Sequence, residues 1–137
     1  MSNSLNIETH KTINHNLCGT PKKISAGESL IEMKTTKDMA VDNKGLVHGG
    51  FIFGLADHAA MLAVNHPFVV LSGSSCRFLK PAMPGQLLIA EGKIIDEDGR
   101  KKTARVTVRR ENEIIFTGDF TCVVLENHVL SPVQQSS

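Results

Sequence analysis

Gly49-Gly50-Phe51-Ile52-Phe53-Gly54-Leu55-Ala56-Asp57-His58-Ala59-Ala60-Met61-Leu62-Ala63-Val64 is the stretch whose reading decides the fold. Apart from Asp57 and His58 it carries no polar side chain. As a helix it is apolar around nearly its whole circumference, and such a helix is enclosed by protein. Gly49-Gly50 opens it and Asn65-His66-Pro67 closes it, because proline disfavours helical backbone in the residue before it. Its length is about 24 Å at 1.5 Å per residue. Asp57 and His58 interrupt the longest apolar run of the chain, so no membrane span is expected.

Around this segment the period changes to two. Ser29 to Thr36 alternates, with Ile31 and Met33 on one side and Glu32 and Lys34 on the other, which marks a half-buried strand. Four extended segments follow the helix. Val69 to Lys80 runs into Pro81, and Gln86 to Ile95 leads into the turn Asp96-Glu97-Asp98-Gly99. Lys102 to Arg110 sets Ala104, Val106 and Val108 against Arg105, Thr107 and Arg109. Glu113 to Leu125 sets Ile114, Phe116, Phe120, Cys122 and Val124 against Thr117, Asp119 and Thr121. One-sided alternation with short turns argues for an antiparallel sheet covered on one face, and the apolar helix is the cover. The expected order is one strand, the buried helix and four strands, with the sheet curled round the helix in an α+β fold. Ile13 to Cys18 forms a short helix or turn. Residues 1–12 and 127–137 read as flexible ends of one domain spanning residues 13–126.

Composition narrows the function. A chain of 137 residues has room for one core, and 41% apolar with 21% charged residues is ordinary for a soluble protein. A net charge of +1 supplies no broad basic field for nucleic acid. All aromatic residues are Phe, at 4% of the chain, which weakens base stacking further. Met1 to His10 holds no apolar run of the kind a signal peptide needs. Cys18, Cys76 and Cys122 are odd in number and form no Cys-x-x-Cys pair, so idle thiols in a reducing cytoplasm are expected. His10, His15, His58, His66 and His128 fit no metal-ligand spacing. Neither metal nor cofactor is expected, and Ser72-Gly-Ser-Ser75 is no nucleophile elbow.

The chemistry lies in the helix. An ionised carboxylate among apolar residues is costly unless paired, and its pKa shifts, which makes Asp57 a candidate catalytic group. The plain alternative is a helix with one wet stripe, where Asp57 is solvated or paired with His58. Gly45-Leu-Val-His48-Gly49-Gly50 adds a second feature. Glycines at a helix start let a substrate approach unpaired N–H groups at the positive end of the helix dipole, a setting that suits an oxyanion. By itself the pair is also an ordinary turn into a helix.

Asn43-x-Gly45-x-x-His48-Gly49-Gly50 followed by Leu55-Ala56-Asp57 resembles the motif of hotdog-fold thioesterases of the phenylacetate-pathway (PaaI) type. Arg77-Phe78-Leu79-Lys80-Pro81-Ala82-x-x-Gly85 is similar to the strand after the helix in that superfamily. The resemblance implies an acyl-CoA thioesterase with a hotdog fold, an antiparallel curved sheet wrapped round one long central helix. It implies that the Gly49 N–H polarises the thioester carbonyl beside Gly50. Asp57 would activate water or attack directly, and His48 and Asn43 would shape the loop. It further implies that glycines and Asp57 come from different protomers of a homodimer, and that dimers pair into a tetramer. Arg77 and Lys80 are then the candidates for coenzyme A, ahead of Arg100-Lys101-Lys102, which read as a solvated hairpin end. No serine among Ser72, Ser74 and Ser75 matches the serine that some relatives carry on this strand. Two other readings compete: a non-catalytic acyl-CoA-binding module, and a hotdog enoyl-CoA hydratase or dehydratase.

Overall fold

The computed structural model describes residues 5–131. Residues 1–4 and 132–137, parts of the two expected flexible ends, lie outside the described residues. A one-turn helix, α1 (His15–Cys18), leads into β1 (Thr20–Ser25) and β2 (Glu28–Lys34). After a 3-10 turn at Lys37–Met39 comes the long helix α2 (Gly49–Val64). Strands β3 (Val69–Phe78), β4 (Leu87–Asp98), β5 (Lys101–Arg110) and β6 (Glu113–Val124) complete the chain. The six strands form one sheet in the order β1-β2-β4-β5-β6-β3, antiparallel throughout. α2 lies on one face of that sheet, and no helix of the described residues is long and apolar enough to cross a membrane.

The α2 boundaries are those its sequence dictates. Asn65 ends it in a left-handed conformation (φ 54°), its N–H donating to the Met61 carbonyl. The Asn65 side chain also accepts from Glu8 N–H and donates to the Asn6 carbonyl. Leu5 N–H donates to the Ile24 carbonyl. The stretch from Leu5 to Glu8, expected to be a loose end, is therefore pinned across the C-terminal end of α2. Asn14 caps α1, its Oδ1 accepting from Asn16 and Leu17 N–H.

The core forms where α2 meets the inward rows of the sheet: Ile31 and Met33 of β2, Leu88 and Ala90 of β4, Ala104, Val106 and Val108 of β5, and Phe116, Phe120 and Cys122 of β6. Burying each large side chain contributes about 1.5–3 kcal/mol. Gly92 of β4 brings the layers closest. A Cβ there would lie 2.7 Å from the Ala59 carbonyl oxygen of α2 and 2.8 Å from Ser29 Oγ. Ser29 Oγ donates to that same Ala59 oxygen at 2.6 Å, lacing β2 to the helix.

Three differences from the sequence reading have local causes. β1 was not expected, because Pro21, Lys22 and Lys23 break any alternation; it is an edge strand, which tolerates all three. β4 runs on to Asp98, so the turn is the pair Gly99-Arg100, with Gly99 at φ 62°. A bulge between β5 and β6 pairs Arg109 with Ile114 and Val108 with Phe116, so Ile115 turns inward and Ile114 stays exposed.

Candidate active site

α2 is not enclosed on every side. Gly50, Phe53, Gly54 and Asp57 are partly or fully open, whereas Ile52, Leu55, Ala56 and His58 to Ala63 are buried. Spacings of three and four residues put the open set on one helix face. The wet stripe weighed as the plain alternative therefore exists, and Asp57 lies in it. The Asp57 carboxyl is not solvated like a surface group, however. Its Oδ1 is buried without a hydrogen-bond partner among the described residues, and burial pushes its pKa up to about 6. The Cys18 and Cys122 thiols are pushed up by burial and by the Asp57 charge, Cys122 to about 11. Both stay protonated at neutral pH, which excludes them as thiolate nucleophiles.

Asp57 does not pair with His58. The His58 Nδ1 lies 3.0 Å from the Cys18 carbonyl oxygen; a carbonyl only accepts, so Nδ1 carries the proton. The His58 ring lies near-parallel to those of His10 (centroids 6.2 Å apart) and His15 (6.4 Å). The sequence reading gave these histidines separate local roles; folding stacks three of them. Among the described residues no group of His, Cys, Asp or Glu side chains is arranged to hold a metal ion.

At the other end of the stripe lies the helix start. His48 is the N-cap residue (φ −62°, ψ 131°) and gives no side-chain cap. The first backbone donor with an acceptor near it is Phe51 N–H, to the His48 carbonyl. Gly49 and Gly50 thus keep the free N–H groups that every helix start leaves. The loop before them is held by backbone bonds: His48 N–H donates to the Met39 carbonyl, Val47 N–H to Ala82, and Ala40 pairs with Val47. Asp42, a residue the sequence reading passed over, shapes the turn by accepting from Lys44 and Leu46 N–H. Its neighbour Asn43 is exposed.

The structure brings some expected site residues together and separates others. Phe78, the last residue of β3, pairs with buried Phe116 (centroids 5.0 Å apart, edge-on) and lies against Gly49. Lys80, two residues on, is held 3.1 Å from Glu113, which also pairs with Arg110. Strand alternation turns Arg77 to the outer face, opposite Thr117 and away from α2. Of the three serines, Ser74 faces the helix side opposite Phe120 and Ser75 the outer side. Ser72 is the extra residue of a bulge, donating to the Thr121 carbonyl. Cavities of about 530 and 550 Å³ lie at the N-terminal segment and at the C-terminal end of α2. Neither is lined by Gly49 or Asp57, because within one chain the stripe is an open surface.

A family model described as "Thioesterase superfamily" matches residues 44–116, more than half of the chain and the stretch that carries both the glycines and Asp57. The chain belongs to the thioesterase superfamily. This thioesterase-superfamily chain is 50% identical to the uncharacterized protein PH1136 from Pyrococcus horikoshii, whose structure it matches with a TM-score of 0.93 over 93% of this chain and 98% of that one. It is also similar to a mutant of the phenylacetic acid degradation protein PaaI from Thermus thermophilus. There the identity is 26% and the TM-score 0.74, over 80% of this chain and 95% of that one. The expected hotdog fold is thereby shown. Among curated relatives it is 44% identical to the methylthioribose-1-phosphate isomerase of Aquifex aeolicus over 88% of this chain, but spans 26% of that protein. It is 27% identical to the transcription factor FapR of Shouchella clausii over 58% of this chain, spanning 41% of that protein.

Proposed function

We propose that this chain hydrolyses acyl-CoA thioesters at a site shared between two protomers, without a metal or cofactor. The observation that carries the reading is Asp57, a half-open carboxyl with a raised pKa on the helix face that begins with two free backbone N–H groups. The Gly49 N–H, at the positive end of α2, stabilises the oxyanion that forms when a thioester carbonyl is attacked. Asp57, with a pKa of about 6, is ionised at neutral pH yet basic enough to take a proton from water or to attack the carbonyl itself. His48 and Asn43 hold and flank the glycine loop.

Asp57 stands eight residues beyond Gly49, about 12 Å along the axis, too far to meet a carbonyl held at its own glycines. A second copy supplies it. The open stripe, the exposed residues Phe78 and Leu79, and the unpaired β3 edge support a homodimer at minimum, with dimers pairing into a tetramer. Lys80 is the better placed cation for a coenzyme A phosphate; Arg77 meets one only beyond the sheet edge. The free thiols Cys18, Cys76 and Cys122 fit a cytoplasmic setting. The likeness to a transcription factor favours one second reading, a non-catalytic acyl-CoA-binding module in a regulatory role.

Thiol release from a panel of acyl-CoA substrates tests both. Asp57→Asn lowers hydrolysis at least ~10²-fold, the lower end of a general-base contribution, while acyl-CoA binding survives. Mixing Asp57→Asn chains with Gly49→Pro chains regains activity, because a mixed dimer keeps one site with neither lesion. Wild-type-like hydrolysis by Asp57→Asn ends the mechanism, and binding without hydrolysis by the wild type selects the binding module.

A further inference from the structure

Gly49 and Gly50 are each covered by a different ring. A Cβ on Gly49 would lie 3.2–3.6 Å from Cε2, Cδ2 and Cζ of Phe78. A Cβ on Gly50 would lie 2.9 Å from Nε2 and 3.0 Å from Cδ2 of His48. The glycine pair is thus a notch between a phenyl ring on one side and an imidazole on the other. The two walls differ in chemistry and in support. Phe78 has no polar atom, is paired edge-on with fully buried Phe116, and is continued through Phe116 (6.3 Å) and Phe120 (5.4 Å) to Phe53 on the open face of α2. His48 is exposed, its ring is set edge-on to Phe51 with Nε2 against Gly50, and it holds the loop through its backbone, so its ring makes no hydrogen bond among the described residues.

A thioester has two unlike arms on its carbonyl carbon. The acyl arm is apolar, and the thiol arm carries sulfur and the amides of pantetheine. For a carbonyl oxygen held at the Gly49 N–H, the Phe78 and His48 rings are the two side chains set against the glycines. We propose that Phe78 is the wall that receives the acyl arm and sets its permitted bulk, and that His48 receives the thiol arm. This assignment rests on the thioesterase reading above and adds to it the orientation of the substrate and the residue that selects it. The half-exposed Phe78 ring offers the acyl chain an apolar face, and the fully buried Phe116 and Phe120 behind it hold that ring in place. The imidazole offers a hydrogen bond that a phenyl ring cannot make, to a pantetheine amide or to the departing sulfur. Reversing the arms would set pantetheine amides against the Phe78 ring, which offers them no partner, an unfavourable arrangement.

The test compares Phe78→Ala and His48→Ala on two readouts: kcat/KM over straight, branched and aryl acyl-CoA substrates, and inhibition by free coenzyme A. Phe78→Ala raises the branched-to-straight and aryl-to-straight ratios about tenfold or more, the scale on which pocket bulk discriminates, and leaves inhibition by coenzyme A as it was. His48→Ala weakens that inhibition and leaves the acyl ratios as they were. If Phe78→Ala fails to fold, Phe78→Leu makes the same comparison with a smaller opening. A uniform change over all acyl groups, or an exchange of the two phenotypes, overturns the assignment. Calorimetry with S-alkyl-CoA thioethers of matched bulk separates this from the underlying reading. Thioether affinities that follow Phe78 in a wild type without hydrolysis uphold the wall and reject the thioesterase. A wild type that neither cleaves the esters nor binds the thioethers overturns both.

Discussion

The His58 imidazole donates from Nδ1 to the Cys18 carbonyl at 3.0 Å, tying α1 to the middle of α2 one residue beyond Asp57. Its Nε2 is buried without a partner among the described residues, and the rings of His10 and His15 lie near-parallel to it at 6.2 and 6.4 Å. Burial lowers the pKa of His58 foremost; the Cys18 hydrogen bond partly offsets this, and the neighbouring His10 and His15 lower it further. His10 is lowered by burial as well.

A group whose folded pKa lies below its unfolded value stabilises the fold above the unfolded value, near 6.5 for histidine, and that stability is lost as pH falls towards the folded pKa. The histidines' share of the stability therefore drops as pH falls below about 6.5, against the opposite contribution of Asp57. His58→Gln flattens this slope, while the altered Cys18 hydrogen bond costs on the order of 1–3 kcal/mol at pH 8. A slope identical in the variant shows that the stack does not carry the effect. Thermal melts across this range make the measurement.

Asp57 has the opposite sign. Its folded pKa is about 6 against an ordinary value of 3.8, so the folded protein holds the proton more tightly, and the cost of burying the charge is fully present above pH 6. That cost disappears as pH falls from 6 towards 3.8. Asp57→Asn is thus more stable than the wild type at pH 8, by at most about 3 kcal/mol at 1.36 kcal/mol per pKa unit, and less for a half-open group. The gap closes below pH 4. Denaturant melts at pH 8 and pH 4 check it.

Gly49→Pro removes one donor and also sets a Cβ 3.2 Å from Cε2 of Phe78, so that ring must give by a few tenths of an ångström. Gly49 is the first residue of α2, where proline is favoured because its missing N–H has no helical partner. His48 already has the extended backbone (φ −62°, ψ 131°) that a residue before proline requires. The variant folds with a shifted Phe78 ring and loses ~10²–10³ in turnover, the scale for one oxyanion donor. An unchanged rate in the folded variant rejects the assignment.

Gly92→Ala is the structural counterpart. Its Cβ would meet the Ala59 carbonyl oxygen of the helix backbone at 2.7 Å and the Ser29 Oγ bonded to that same oxygen at 2.8 Å. The helix must lift from β4, at a cost of about 1–3 kcal/mol or more, with a uniform loss across substrates. Melting and a substrate panel on the same preparation separate this from a specificity change.

Local pattern was enough for the bounds of α2, the inward rows of β2 and β5, and the spacing of Gly49-Gly50 and Asp57, since helix and strand periods are properties of contiguous residues. It was not enough for β1, whose Lys22 and Lys23 become a strand only because β2 offers them an edge, nor for the Ile114/Ile115 exchange, which a bulge against β5 decides. The stacking of His58 with His10 and His15, the closure of Gly92 on Ala59, and the Phe78 ring over Gly49 join residues from different elements. Side chains so far apart in the chain meet only through packing of whole elements, and no period of the sequence encodes which of them will touch. The carboxyl and the glycines were legible as a pattern. The open stripe that holds them, and the unlike rings on either side of the glycines, exist only once sheet and helix are assembled.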